Sequence, residues 1–554
     1  MESICSFLVC SGLFLAIAMI LCLKGKNLGR RTKKLPPGPP GWPIIGNIFD
    51  LGTEPHRALQ ELKLKYGPVL RLRLGSMDTV VIQSAKAAAQ LLKNHDASFC
   101  DRKPLDVFTC HNYRDGSLAV GRFSPYWRTV RRLCSVEMMT VKRINDTASI
   151  RRKCIDQMIR NIEDDTAAAN ARGVRGEFTP LSLSNGIQRT PNVADFLPFL
   201  KWFDPQGLRR NMSRDMARAL KIVEGFVKER LEEYKLGNEE KNNKDFLDTL
   251  LEFEGDGKDW HEKIPYERII IIILEMFFAG SETTSAATEW AMAELLRKPE
   301  AMRKVKEELN EVVGENRNVE ESDIEKLPYL QAVVKEALRL HPSVPLLVPR
   351  NTMQDTNFMG YHIAKDTQVF VNAWAIGRDP DSWEDPLTFK PERFLGSNID
   401  YKGQNFELIP FGSGRRICID SGLFFSLEKI MWASVRRKVL TGSKSASLVL
   451  ERSFLGTQSN LALSSRSYSI ALKEMLPRRS NNSQYVDSRG YLRFPVGSSP
   501  VREVISCFRV DPSISILSKA FSSDRPKTSI SPSKSSATEC QLPPNEGARR
   551  VRGD

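Results

Sequence analysis

Residues 411–418 read Phe411-Gly-Ser-Gly-Arg-Arg-Ile-Cys418, which puts one cysteine at the end of a glycine-bent, doubly basic loop. A thiolate is a strong iron ligand, and backbone N–H groups turned toward the sulfur tune how much electron density it donates. Gly412 and Gly414 permit the tight turn, and Arg416 lies close enough in sequence to reach an anionic cofactor edge. A lone cysteine is more often a small buried hydrophobe. Apolar packing, however, needs neither two glycines nor two arginines beside it. Packing alone therefore does not account for the surroundings of Cys418, whose thiol is of the kind that can ligate iron.

Two further patterns accompany it. Residues 269–278 are almost wholly apolar, and the small and polar run Ala279-Gly-Ser-Glu-Thr-Thr284 interrupts them before helical sequence resumes to about residue 297. Ala279 and Gly280 let a flat group approach the backbone, while a threonine hydroxyl can bond back into the helix and open a local bulge. Downstream, Glu336-Ala-Leu-Arg339 sets an acid and a base on one helix face. Taken alone, that is a surface ion pair of small value.

These strings resemble the cytochrome P-450 family. The cysteine loop is similar to its haem-binding loop, Glu336-x-x-Arg339 to its Glu-x-x-Arg helix motif, and Pro391-Glu-Arg-Phe394 to its Pro-Glu-Arg-Phe segment. The resemblance implies haem b with Cys418 as axial ligand, Phe411 and Gly414 shaping the loop, and a buried triad of Glu336, Arg339 and Arg393 bracing it. It assigns Thr283 to the hydroxyl that handles oxygen and Glu282 to the acid that relays protons. Trp127-Arg-Thr-Val-Arg131 looks like the family's Trp-x-x-x-Arg helix, so Trp127 and Arg131 would bond a haem propionate, with Arg350 and Arg416 at two more such positions and Arg102 a fourth candidate. Buried carboxylates need paired donors, and the fixed guanidinium fork suits them.

The elements that must position these groups follow from periodicity. Residues 69–74 alternate, a turn at 75–78 follows, and 79–82 complete a β-hairpin. Residues 85–94, 213–236, 299–313 and 323–340 read as helices. The resemblance implies the matching fold: mainly α with small β-sheets, carried on an N-terminal transmembrane helix.

That anchor is expected at residues 1–23, where 6–23 are uncharged and mostly aliphatic. A basic, proline-rich hinge at 24–43 follows, and its Lys24, Lys26, Arg30, Arg31, Lys33 and Lys34 place this flank in the cytosol. Ten cysteines without paired spacing argue against a disulfide framework there, so the sequons at Asn145, Asn211 and Asn481 should be silent. Net charge is +14, from 81 basic and 67 acidic residues, yet no basic stripe interleaved with aromatics marks a nucleic-acid surface. The resemblance instead implies an NADPH-dependent reductase as partner, beside the endoplasmic-reticulum membrane.

In detail the chain is most similar to plant microsomal members, closest to the geraniol hydroxylase branch acting on monoterpenols, with residues 190–207 the most similar run. A small hydrophobic substrate would meet residues 103–117, 271–284 and the apolar 343–348. Two departures stand out. Residues 173–189 are short and featureless where the family carries additional helices, as if a piece were excised from the 44–440 haem domain. Beyond Cys418 the family's glycine is replaced by Asp420, and from 441 the chain is serine-rich, unmatched and expected to be disordered. A second reading is therefore a mis-spliced or frame-shifted relative that is catalytically inactive and binds haem weakly or not at all.

Overall fold

The structure is a computed structural model; it describes residues 34–157, 160, 192–236, 245–255, 257, 260–314, 317, 319–422 and 424. The anchor expected at 1–23, the short 173–189 stretch and the tail expected from 441 lie outside the described residues.

Six helices and two small sheets frame the site. Helix α1 runs Pro55–Tyr66, α2 Pro125–Leu133, α3 Leu208–Lys235, α4 Tyr266–Arg297, α5 Pro299–Val313 and α6 Pro328–Leu340. Strands β1 (Val69–Leu74), β2 (Met77–Ile82), β3 (Arg350–Asn351) and β6 (Gln368–Val371) form one sheet in the order β1-β2-β6-β3. Strands β4 (Thr356–Phe358) and β5 (Tyr361–Ile363) pair as a hairpin. The β1–β2 hairpin forms with Val69 opposite Ile82 and Leu74 opposite Met77, so only Gly75 and Ser76 turn. Met77 and Asp78, expected in the turn, belong to the strand.

Periodicity located the helices, and local chemistry set their ends. Helix α5 keeps its expected bounds. The single helix expected over 323–340 is broken: a 3-10 turn at Glu321–Lys326 precedes α6. Pro328 forces this, because its ring disfavours a helical residue before it, and Leu327 sits at φ −115°, ψ 64°. The helix expected at 85–94 is α only over Ala85–Ala89 and continues as a π turn through Asn94. Helix α4 corrects a further expectation. Thr283 Oγ1 does donate back to the Ala279 carbonyl, at 2.8 Å, and Thr284 Oγ1 to that of Gly280, at 2.7 Å. No bulge opens; the segment is α-helical from Tyr266 to Arg297.

Three apolar clusters meet along α4. Its first half buries Ile269, Ile270, Ile272 and Ile273 against Val130 of α2 and Val223 and Val227 of α3. Its second half buries Ala291 and Leu295 against Val305 and Leu309 of α5 and Leu330 and Val333 of α6. Between them Ala287 meets Val334 and Leu338 of α6, with Phe411 at the margin. Each fully buried aliphatic side chain contributes about 1.5–3 kcal/mol. Among the described residues α4 is the one helix long and apolar enough to cross a membrane, and its role here is that of a central core helix.

Candidate functional site

The cysteine loop closes on itself. The Cys418 amide donates to the Phe411 carbonyl at 3.0 Å, that of Gly412 to Ile409 at 3.0 Å, and that of Ile417 to Gly414 at 3.1 Å. Gly412 and Gly414 take φ of 72° and 70°, the region that favours glycine. At Gly414 a side chain is also sterically barred, since a Cβ would stand 2.6 Å from the Leu92 carbonyl oxygen and 2.7 Å from Asp96 Oδ1. The Phe411 ring packs edge-on against Phe424 and Tyr401, at 5.0 and 5.6 Å between centroids.

Cys418 is exposed to solvent within a densely packed surround. Burial pushes its thiol up to about 11, and nearby Asp420 adds to the rise. The Asp420 amide, Arg131 and the Ser421 amide pull it back. Burial raises the Asp420 carboxyl to about 7, and its buried Oδ1 has no hydrogen-bond partner among the described residues.

Five residues anticipated at the cofactor edge converge around this loop. In α2, Ser124 caps the Trp127 amide and Pro125 opens the helix, which sets Trp127 and Arg131 four residues apart on one face. Trp127 Nε1 donates to the Leu118 carbonyl at 2.9 Å, and Arg131 Nη2 to that of Ile417 at 2.5 Å. The Arg416 guanidinium lies 3.9 Å from the Trp127 ring centre and donates to the carbonyls of Cys100, Leu118 and Gly121, at 2.8, 3.2 and 2.9 Å. Arg350, on β3, binds Asp96 and the Ser413 carbonyl, each at 2.7 Å. Arg102 donates to the carbonyls of Val348 and Pro349.

Charge is unbalanced here. Arg102, Arg350 and Arg416 are buried, and Arg131 is half-buried. Desolvation holds all four below the ordinary guanidinium range, and neighbouring arginines add to this at Arg102, Arg131 and Arg416, with Arg416 brought to about 9. Of the buried carboxylates close by, Asp96 is bonded by Arg350 and Asp101 by Arg122, and Glu275 accepts from hydroxyls and backbone amides. The buried Nε of Arg102 has no hydrogen-bond partner among the described residues. Spare positive charge and a spare donor behind an accessible thiol fit an anionic, iron-bearing cofactor.

Glu336 and Arg339 form a buried bidentate pair at 2.7 Å, and Arg393 Nε completes the triad at 3.1 Å from Glu336. Both guanidiniums lie over Trp383, which packs with Phe394 and Leu408 just before the cysteine loop. Thr283 and half-buried Glu282 stand on α4 one turn before Ala287. Ser343 Oγ donates to the Thr283 carbonyl at 3.1 Å, which ties the 343–348 segment to this helix.

Asp96 was not anticipated. It accepts from Arg350, from the Arg415 amide at 2.9 Å and from the Arg415 side chain at 3.0 Å. Within Asn-His-Asp-Ala-Ser it reads as an ordinary turn acid, and no local signal marks it. Glu275 was also passed over, although a single acid inside the apolar 269–278 run was a usable signal.

The helical fold with small sheets and a thiol-bearing, arginine-lined loop define a haem-thiolate class of protein. The cytochrome P450 family profile matches residues 36–181 and 181–423, and the chain belongs to that family, whose cofactor is haem. Among its relatives, iridoid oxidase of Catharanthus roseus is 51% identical over 438 residues, 72% of this chain and 84% of that protein. Drimenol monooxygenase of Persicaria hydropiper is 41% identical over 436 residues, covering 73% and 86%, and geraniol 8-hydroxylase of Catharanthus roseus 38% over 435, covering 73% and 87%. The branch read from the sequence therefore stands.

Proposed function

We propose that this chain is a membrane-anchored monooxygenase of the endoplasmic reticulum that inserts one oxygen atom of O2 into a small hydrophobic terpenoid such as a monoterpenol, with electrons from an NADPH-dependent reductase. The observation that carries it is the Cys418 loop, its exposed cysteine set among the desolvated guanidiniums of Arg102, Arg131, Arg350 and Arg416. The terpenoid reading draws on the names of iridoid oxidase, drimenol monooxygenase and geraniol 8-hydroxylase. When bound, haem supplies the redox-active iron at which O2 is activated. Cys418 would ligate it through sulfur, with the Asp420 and Ser421 amides moderating the thiolate's charge. Trp127, Arg102, Arg131, Arg350 and Arg416 would hold its carboxylates, with Phe411 and Gly414 shaping the loop. Thr283, its hydroxyl fixed on the Ala279 carbonyl, would orient a proton donor, and Glu282 would supply protons from the same helical turn.

A second reading, an inactive relative with weak or no haem binding, is favoured by specific observations. Asp420 places a buried, unpartnered carboxyl oxygen two residues from the ligand, which opposes thiolate formation. The family match divides at residue 181, inside the short 173–189 stretch, and ends at 423. Carbon-monoxide difference spectra of the reduced protein separate the readings. A strongly red-shifted Soret band supports the monooxygenase. An ordinary haem band or none, with the red-shifted band appearing in Asp420→Gly, supports the inactive relative.

A further inference from the structure

Glu275 lies in the apolar first half of α4, 6% exposed, seven residues before Glu282 and thus on the same helix face. Four donors converge on it. Oε1 accepts from the hydroxyls of Ser117 and, at 3.2 Å, Tyr113. Oε2 accepts from the amides of Leu118 at 2.6 Å and Ala119 at 3.2 Å. An ionised carboxylate has about four lone-pair sites and no donor, so this set satisfies it fully. Gly116 lies flush with the same helix: a Cβ there would come 3.0 Å from the Ile271 side chain. One peptide group then joins two parts of the site. The Ala119 N–H faces Glu275, while the Leu118 carbonyl of the same group receives Trp127 Nε1 and Arg416 Nη1. Gly121 carries the pattern on, its carbonyl accepting from Arg416 Nη2.

We propose that Glu275 is a positioning residue that clamps residues 113–121 to α4 and, through the Leu118–Ala119 peptide group, fixes the aim of Trp127 and Arg416 and the wall of the substrate site. The clamp itself is independent of the function proposed above; its consequence for the cofactor edge rests on that reading. Buried polar groups left without partners are costly, so an apolar residue here should free the segment rather than only soften it.

Hydrogen exchange on the full chain in detergent micelles tests the clamp. Glu275→Leu should speed exchange in 113–121 about tenfold or more while the α6 peptide is unchanged, as expected of local opening. Glu275→Gln should keep most of the protection, because its oxygen can accept from the two amides and its NH2 can donate to the two hydroxyls. Should Glu275→Leu fail to fold, Tyr113→Phe combined with Ser117→Ala removes two donors from the opposite side and should give the same local rise. Unchanged exchange in 113–121 in the variant that folds overturns the clamp. Haem transfer to apomyoglobin gives the second readout: loss from the opened variant should quicken about tenfold or more. Faster exchange with unaltered haem loss would overturn the relay to Trp127 and Arg416. A wild type with no haem-thiolate band, yet with the exchange response intact, would sink the function proposed above and leave the clamp standing.

Discussion

A carboxylate bonded by three donors from two separate segments fixes geometry that no single segment could. Asp96 holds Arg350 of β3 and both the backbone and side chain of Arg415, so the cysteine loop is tied to the sheet through one acid. Removing it strands the Arg350 guanidinium, 5% exposed, without its counter-charge. Breaking a buried pair from one side costs about 3–5 kcal/mol. Asp96→Ala should therefore lower the unfolding free energy by that amount, read in urea as a lower midpoint at unchanged m-value, whereas Arg415→Ala, which removes the exposed side chain only, should cost less than about 1 kcal/mol. At this scale legibility was uneven for a physical reason. Cys418, Trp127, Arg131, Arg350 and Arg416 sit in strings whose composition has no use in ordinary packing. Asp96 acquires its role only when the chain brings residues 254 positions apart together.

Elements were legible where periodicity alone decides, as in α5 and the β1–β2 hairpin, and less so where one residue overrides the pattern. Pro328 divides an apolar stripe that reads as continuous, and the threonines of α4 satisfy themselves within the helix instead of bending it. The stripe of α6 is nonetheless the strongest packing surface near the site, burying Leu330, Val333 and Val334 almost completely. Leu330→Ala should cost about 2–5 kcal/mol in chemical denaturation, with the size set by how far α4 and α5 collapse into the gap. Leu64→Ala, on α1 with 88% of the side chain exposed, should stay within about 0.5 kcal/mol. Equal effects would mean that α6 is not packed as described.

For the whole molecule, pH enters through His56, which meets Trp374 edge-on at 4.9 Å between ring centres, near Arg57 and Arg378. Burial, helped by the two arginines and opposed by Glu54, lowers its imidazole from 6.5 to about 4. The folded protein thus holds the proton less tightly than the unfolded chain. Stability from this group is complete above pH 6.5, falls through the interval down to about 4 and is level below it. The shift corresponds to about 3 kcal/mol at most, and to about 1–2 kcal/mol once the ring's partial exposure is discounted. Midpoints of thermal unfolding between pH 7 and 4 should show this slope, and His56→Phe should flatten it. An unchanged slope in that variant would assign the acid sensitivity to other groups.

Helix α4 gives its first half to one apolar cluster, its second half to another and Ala287 to the patch between them. A cut between α3 and α4 therefore does not leave two self-sufficient pieces. A fragment ending at 236 keeps α2 and α3 but loses the isoleucines that cover them, and a fragment beginning at 245 keeps those isoleucines with nothing to cover. Made separately, such halves would be insoluble partners rather than domains, and only mixing them could restore the cradle around Cys418.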